Sequence, residues 1–195
     1  MQTEEVVCAS VNRIPSPANI LPIRVMCSGR IQPAFVFRSF EKGADGVLVC
    51  GCHIGDCHYV EGNHKTLRRI PLTKRLIAGM GIDPARLRIE FMSGGDGPVL
   101  VDKVNEFTDQ IRELGPLGEP EGVDRETLGI RLAAARKLVP YLKLVEREKL
   151  RVPTKSEEAY NEFFASDEVT RIFDPSAPKT KEPMVTSPGV TTVQD

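Results

Sequence analysis

Three of the five cysteines and two of the three histidines fall within nine residues, Cys50 to His58. They are Cys50, Cys52, His53, Cys57 and His58, set in the stretch VLVCGCHIGDCHY at 47–59. A fourth cysteine, Cys27, opens a second loop, CSGR, directly after the apolar run at 22–26. Thiolates are the ligands that iron–sulfur clusters use, and thiolate combined with imidazole suits zinc. The pattern therefore reads as a soft-metal site, and the preferred reading is an iron–sulfur centre for electron transfer. The alternative is a structural zinc-binding module without redox activity, in which Cys27, Cys52 and Cys57 join His53 or His58. A thiol nucleophile at Cys27 or Cys57 ranks third, because no base and orienting group accompany either cysteine.

The five cysteines do not carry equal weight. Cys27, Cys52 and Cys57 sit in glycine-bearing loops and form the central set. Cys50 lies inside an apolar run, where a lone cysteine serves more often as a small core residue. Cys8 lies in an N-terminal segment of uncertain structure. His53 and His58 read as hydrogen-bonding neighbours, His64 as a surface or capping residue, and Asp56 as a turn residue. Arg30 and a helix starting after Cys27 are expected to lower the Cys27 thiol pKa. The glycine-rich SGGDG at 93–97 is a weak candidate for cradling a phosphate at the start of the helix that follows.

The elements that must position these residues follow from the apolar pattern. Runs at 23–26, 47–50 and 87–92 read as strands, the last alternating Leu87, Ile89 and Phe91. A further short strand could form at 4–9. Between them, 31–42 reads as a helix with Pro33 in its first turn and Gly43 closing it. Residues 64–80 read as a helix that Pro71 kinks or divides, and 98–114 as a third. The strands at 23–26 and 47–50 should then be parallel, joined by a helical crossover. Ligands collect at the C-terminal ends of strands in such sheets, which places Cys27 near Cys52. The fold class is α/β, a small parallel sheet flanked by helices, with a C-terminal helical extension and a disordered-looking tail.

The chain has 195 residues, 41% hydrophobic and 27% charged, with a net charge of −1. Length allows one domain plus an extension. The near-zero charge gives no argument for nucleic acid, no apolar run approaches the roughly 20 residues of a transmembrane segment, and MQTEEVV, with two acids and no apolar core, is not expected to act as a secretory signal. A cytoplasmic location is expected, where cysteines serve metal or redox chemistry more often than disulfides. Three parts are expected: an iron–sulfur α/β domain at 1–115, a helical docking extension at 123–166, and a flexible tail at 167–195. Asp124 and Ser156 are expected caps, and Pro140 marks a potential break. Tyr160, Phe163, Phe164 and Phe173 are read as exposed aromatic anchors for a partner.

RVMCSGR at 24–30, FEKGADGVLVCGCHIGDCHY at 40–59, the GN at 62–63 and GID with RLRIEF between 81 and 91 closely resemble the methyl-viologen-reducing hydrogenase delta subunit family. The resemblance spans about residues 20 to 114. It implies a 2Fe–2S cluster and an electron-relay role without a substrate pocket. Implied partners are a heterodisulfide-reductase-like flavoprotein and a hydrogenase or acyl-CoA reductase component in an anaerobic oxidoreductase complex. By position, Cys27, Cys52 and Cys57 match the family's cysteines. The family's N-terminal Cys-x-x-Cys pair has no counterpart here. The fourth ligand is therefore Cys8 or Cys50, or the cluster is incomplete. A third option is a reading frame that starts upstream, across a selenocysteine codon taken as a stop, and an intact native mass near 21.5 kDa would exclude it.

Overall fold

The computed structural model describes residues 19–93, 95–150, 152 and 156–173. In chain order the elements are helix α1 (Pro33–Glu41), strand β1 (Val47–Gly51), helix α2 (Gly62–Gly79), strand β2 (Leu87–Phe91), helix α3 (Gly97–Leu114), helix α4 (Arg125–Glu148), helix α5 (Glu157–Ala165) and helix α6 (Asp167–Phe173). Short 3-10 turns at Ser28–Arg30 and Pro84–Arg86 precede α1 and β2.

Local chemistry sets these boundaries. Pro33 starts α1, where its missing N–H costs nothing. Gly43 follows α1 at φ 93°, a conformation that side chains disfavour. Asp124 caps α4 by accepting from the Thr127 amide, and Ser156 caps α5 through the Ala159 amide. β1 and β2 pair in parallel, from Val47 opposite Leu87 to Gly51 opposite Phe91, and α2 makes the crossover between them. The strand–helix–strand unit thus exists, but it is built from the second and third expected strands.

The expected strand at 23–26 is absent. Leu21 is 84% exposed, Ile23 67% and Met26 65%, so this run has no sheet to join. The flank of β1 at Gly51 is taken instead by Ser28, whose Oγ would meet a Cβ there at 2.8 Å. The strand considered at 4–9 lies outside the described residues. Pro71 and Pro140 stay inside single helices. An internal proline costs about 3 kcal/mol, which is offset here by the buried neighbours Ile70, Leu72 and Val139.

The main core joins Val36, Phe37 and Phe40 of α1, Val49 of β1, Ile70 and Ile77 of α2, and Leu128, Leu132 and Val139 of α4. The inner face of α4 is therefore part of the same core as the sheet. A second cluster gathers Leu67 and Leu72 of α2 with Leu150, Tyr160, Phe164 and Val169. This corrects the reading of the C-terminal aromatics as exposed anchors. Tyr160 is 5% and Phe164 6% exposed, and Phe163 packs partly against the same cluster. Each full burial is worth about 1.5–3 kcal/mol. The side chain of Phe173 and residues 174–195 lie outside the described part. No described helix is long and apolar enough to cross a membrane.

The stretch at 115–122, which composition marks as a linker, is tied down by charge. Arg86 is fully buried and its Nε donates to Glu121 Oε1 at 2.5 Å. Burial alone would raise the Glu121 carboxyl, but Arg86 and the Gly118 amide hold it below the ordinary carboxylate range. A folded-state pKa below the unfolded one stabilises the protein above the unfolded value, near pH 4.3, and that stability fades as pH falls through the folded value. Urea unfolding of Glu121→Gln from pH 7 down to 3 should show a lower plateau at neutral pH and a shallower acid decline. A decline as steep as that of the parent chain would exclude this role.

Candidate metal centre

The centre is built at the N-terminus of α2. Cys27 caps the turn Ser28–Arg30, and the Gly29 amide donates to Cys27 Sγ at 3.4 Å. That turn packs directly on the start of α2. A Cβ on Gly29 would lie 2.6 Å from Gly62 Cα, and one on Gly62 would lie 2.1 Å from Cys27 Sγ and 2.9 Å from Cys57 Sγ. Two glycines therefore let a cysteine turn touch a helix end. From α2, buried Thr66 donates its hydroxyl to Ser28 Oγ of the turn at 3.0 Å.

Cys27 Sγ and Cys57 Sγ stand 3.8 Å apart. A disulfide needs about 2.05 Å. Two sulfurs bound at about 2.3 Å to one tetrahedral metal are separated by about 3.8 Å. The 3.8 Å separation is a thiol–thiol contact in which either sulfur can donate; it is compatible with two ligands on one metal atom, and both cysteines are free thiols. The chemistry of this donor set, two thiols side by side, is that of a soft-metal site.

The two thiols differ in character. Cys57 is 8% exposed. Burial pushes its pKa up, but the amides of Asn63, Tyr59 and Gly62 and the Cys27 thiol outweigh this, and the net shift is downward. Helix N-terminal amides favour an anion in this way. Cys27 moves upward, chiefly by burial, with the Cys57 sulfur adding to it and the Gly29 amide opposing. The expectation that Arg30 and a following helix would lower Cys27 is therefore corrected. The helix that lowers a thiol here is α2, and the thiol is Cys57.

Cys52 is exposed, just past β1, and its charge contributes to the rise at Cys27. Cys50 is half-buried within β1, in register with Glu90. Cys8 lies outside the described residues. Among the described residues no three of His, Cys, Asp and Glu are gathered closely enough to hold a metal ion. The geometry thus supplies two adjacent sulfurs, with Cys52 on the same loop as Cys57.

The surrounding polar groups hold the loop. Asn63 is fully buried, and its Nδ2 donates to the His53 carbonyl at 2.7 Å and the Cys52 carbonyl at 3.5 Å. His53 Nε2 lies 3.1 Å from Asp96 Oδ2, which also accepts from the Ser93 amide at 2.8 Å. The SGGDG loop is therefore closed on its own carboxylate, which argues against a phosphate there. His58 packs edge-on to Tyr59 with ring centroids 5.1 Å apart. His64 is more than a surface residue; its Nδ1 is buried with no hydrogen-bond partner among the described residues. Sequence reasoning attached no role to Gly62 and Asn63 beyond the GN of a motif. A glycine and an amide directly after a cysteine loop, at a helix start, were the available signal.

Residues 2–115 match the family described as methyl-viologen-reducing hydrogenase, delta subunit. The chain is 47% identical over 104 residues to a protein of Archaeoglobus profundus, named as an iron-sulfur subunit of F420-non-reducing hydrogenase, covering 53% of this chain and 76% of that relative. It is 43% identical over 108 residues to the vhc iron-sulfur subunit of the F420-non-reducing hydrogenase of Methanococcus voltae, covering 55% of this chain and 75% of the relative. A Methanosarcina acetivorans protein, named as a subunit of ferredoxin/F420H2-dependent CoB-CoM heterodisulfide reductase, is also 43% identical over 108 residues, but the match spans only 14% of that much longer chain. The matched span holds the whole cysteine site, from the Cys27 turn to the start of α2, and on it the chain belongs to the methyl-viologen-reducing hydrogenase delta subunit family.

Proposed function

We propose that this chain is an iron–sulfur electron-transfer subunit. It relays electrons between a hydrogenase or other dehydrogenase and a heterodisulfide-reductase-like flavoprotein in an anaerobic oxidoreductase complex. The observation that carries this reading is the pair of free thiols, Cys27 and Cys57, at 3.8 Å against the amides that open α2. The names of the relatives support it, since they are iron–sulfur subunits of hydrogenases and one component of a heterodisulfide reductase.

In this reading Cys27, Cys57 and Cys52 hold a 2Fe–2S cluster, with Cys50 or Cys8 as the fourth ligand. Such a cluster supplies one-electron redox chemistry. The chain's own residues do the rest. The amides of Tyr59, Gly62 and Asn63 hold Cys57 toward its thiolate form. Gly29 and Gly62 allow the Cys27 turn to reach it. Asn63 holds the backbone at Cys52 and His53 against α2. Cys52 is exposed, so the site faces solvent on that side, where a partner's redox centre can approach.

The test is a visible absorption spectrum with iron, zinc and sulfide analysis on anaerobically purified full-length chain. The expected result is brown protein with about two iron and two acid-labile sulfide per chain. Cys8→Ser and Cys50→Ser then identify the fourth ligand by which one loses the cluster. Colourless protein carrying about one zinc per chain would replace this reading with the structural zinc module.

A further inference from the structure

Glu146 lies on α4, outside the span 2–115 that matches the family, yet it connects to the cysteine turn through one guanidinium. Its side chain is buried, at 7% exposure. Glu146 Oε1 accepts from Arg68 Nη2 at 2.7 Å and Nε at 3.0 Å, and from Arg69 Nε at 3.1 Å. Arg69 Nε also lies 3.2 Å from Glu146 Oε2. The other arm of Arg69 points away from Glu146. Its Nη1 donates to the Gly29 carbonyl by a short bond and to the Ile31 carbonyl at 3.4 Å. Gly29 is the residue whose amide donates to Cys27 Sγ.

A connected line thus runs from Glu146 through Arg69 to Gly29 and Cys27. Arg69 can serve both ends because the guanidinium is a rigid planar fork with donors on separate edges. A long side chain left without the carboxylate regains rotamer freedom, and its hold on Gly29 is then intermittent. Arg68 shares the same carboxylate but makes no bond to the turn among the described residues, which gives the structure an internal control.

We propose that Glu146 is a positioning residue for Cys27, acting through Arg69. The helical extension beyond the matched span then helps to set the geometry of the Cys27–Cys57 pair. The significance for electron transfer rests on the function proposed above, whereas the positioning itself does not.

The experiment uses the full chain and the variants Glu146→Gln, Arg69→Gln, the double variant and Arg68→Gln, each checked for folding by circular dichroism. On metal-free reduced protein, peptide mapping measures the rate of iodoacetamide alkylation at Cys27 relative to Cys57. On reconstituted protein, electron paramagnetic resonance and the midpoint potential are recorded. Arg69→Gln, which removes the guanidinium, and Glu146→Gln, which keeps an acceptor but turns a charge-assisted bond into a weaker neutral one, should each raise the Cys27:Cys57 rate ratio roughly tenfold. The double variant should go no further, because the two residues act in series. Arg68→Gln should change the ratio less than about twofold. An unchanged ratio in Glu146→Gln overturns the proposal, and so does an equal change in Arg68→Gln, which would mean general loosening. If Glu146→Gln does not fold, Arg69→Lys decides. Its single ammonium can pair with Glu146 but lacks the second edge, so an unchanged ratio there also overturns the proposal. A parent chain that takes up no iron defeats the relay reading while the alkylation ratio still decides the positioning. A parent that loads normally, with variants that leave both ratio and spectrum unmoved, defeats the positioning alone.

Discussion

On the iron–sulfur reading proposed above, Gly62→Ala should leave the chain folded and prevent it from holding the cluster. Gly62 opens α2, where alanine is an intrinsically better helix former by up to about 1 kcal/mol, so nothing in the helix opposes the change. The obstacle is the added methyl. Its carbon would lie 2.1 Å from Cys27 Sγ and 2.9 Å from Cys57 Sγ, against ordinary non-bonded contacts of about 3.5–4.0 Å. The atoms it meets are the sulfurs themselves, so both must move away from the methyl, and the present arrangement of the Cys27–Cys57 pair is lost. Changes to groups that merely orient ligands cost about 10–100-fold in metal affinity, and displacing the two sulfurs proposed as ligands should cost at least that. Iron and sulfide per chain should fall to background after anaerobic reconstitution, while thermal unfolding of the metal-free protein shifts by only a few degrees. Iron content equal to that of the parent chain would show that the sulfurs tolerate the methyl and that the pair is not the heart of the centre.

That prediction rests on a contact the sequence could not display. The strands at 47–51 and 87–91, the proline start of α1 and the Asp124 and Ser156 caps were legible because each is decided by neighbouring residues. The cysteine loops were legible for the same reason. Their meeting point was not, because the approach of Gly29 to Gly62 depends on how the turn packs on α2. The run at 23–26 misled because Ile23, Val25 and Met26 look like a short strand whether or not a partner strand exists. Tyr160 and Phe164 misled in the opposite sense, since their burial is supplied by Leu67 and Leu72 on a distant helix. Arg69 and Glu146 are 77 residues apart, and no periodicity or spacing links a charge on one helix to a charge on another. What sequence reading captured was the chemistry on offer and the local elements. What it missed was the set of long-range contacts that bring the chemistry to one point.

Arg86→Met should cost about 3–5 kcal/mol, the effect of removing one partner from a buried ion pair. A domain of this kind has only about 5–15 kcal/mol of stability in total, so the variant should be marginal at room temperature. Arg86 is fully buried ahead of β2 and does two tasks at once. It neutralises Glu121, whose side chain is 9% exposed, and it donates to the carbonyls of Asp45 at 3.0 Å and Gly115 at 2.9 Å. Methionine fills most of the volume but leaves the buried Glu121 carboxylate with the Gly118 amide and no counter-charge, and takes the Arg86 donor from the Asp45 and Gly115 carbonyls. Adding Glu121→Gln should therefore restore only part of the loss, because it removes the stranded charge and not the orphaned carbonyls. Urea unfolding of the parent, Arg86→Met and the double variant measures each share. A loss below about 1 kcal/mol, the value of an exposed pair, would mean that water reaches Arg86 after all. The loop it anchors, at 115–122, places its Leu117 in the main core with Leu128 and makes none of the contacts that hold Cys27 and Cys57. Arg86→Met kept cold and folded should therefore still bind iron, the reverse of the outcome at Gly62, and the two variants together separate what holds the fold from what holds the metal.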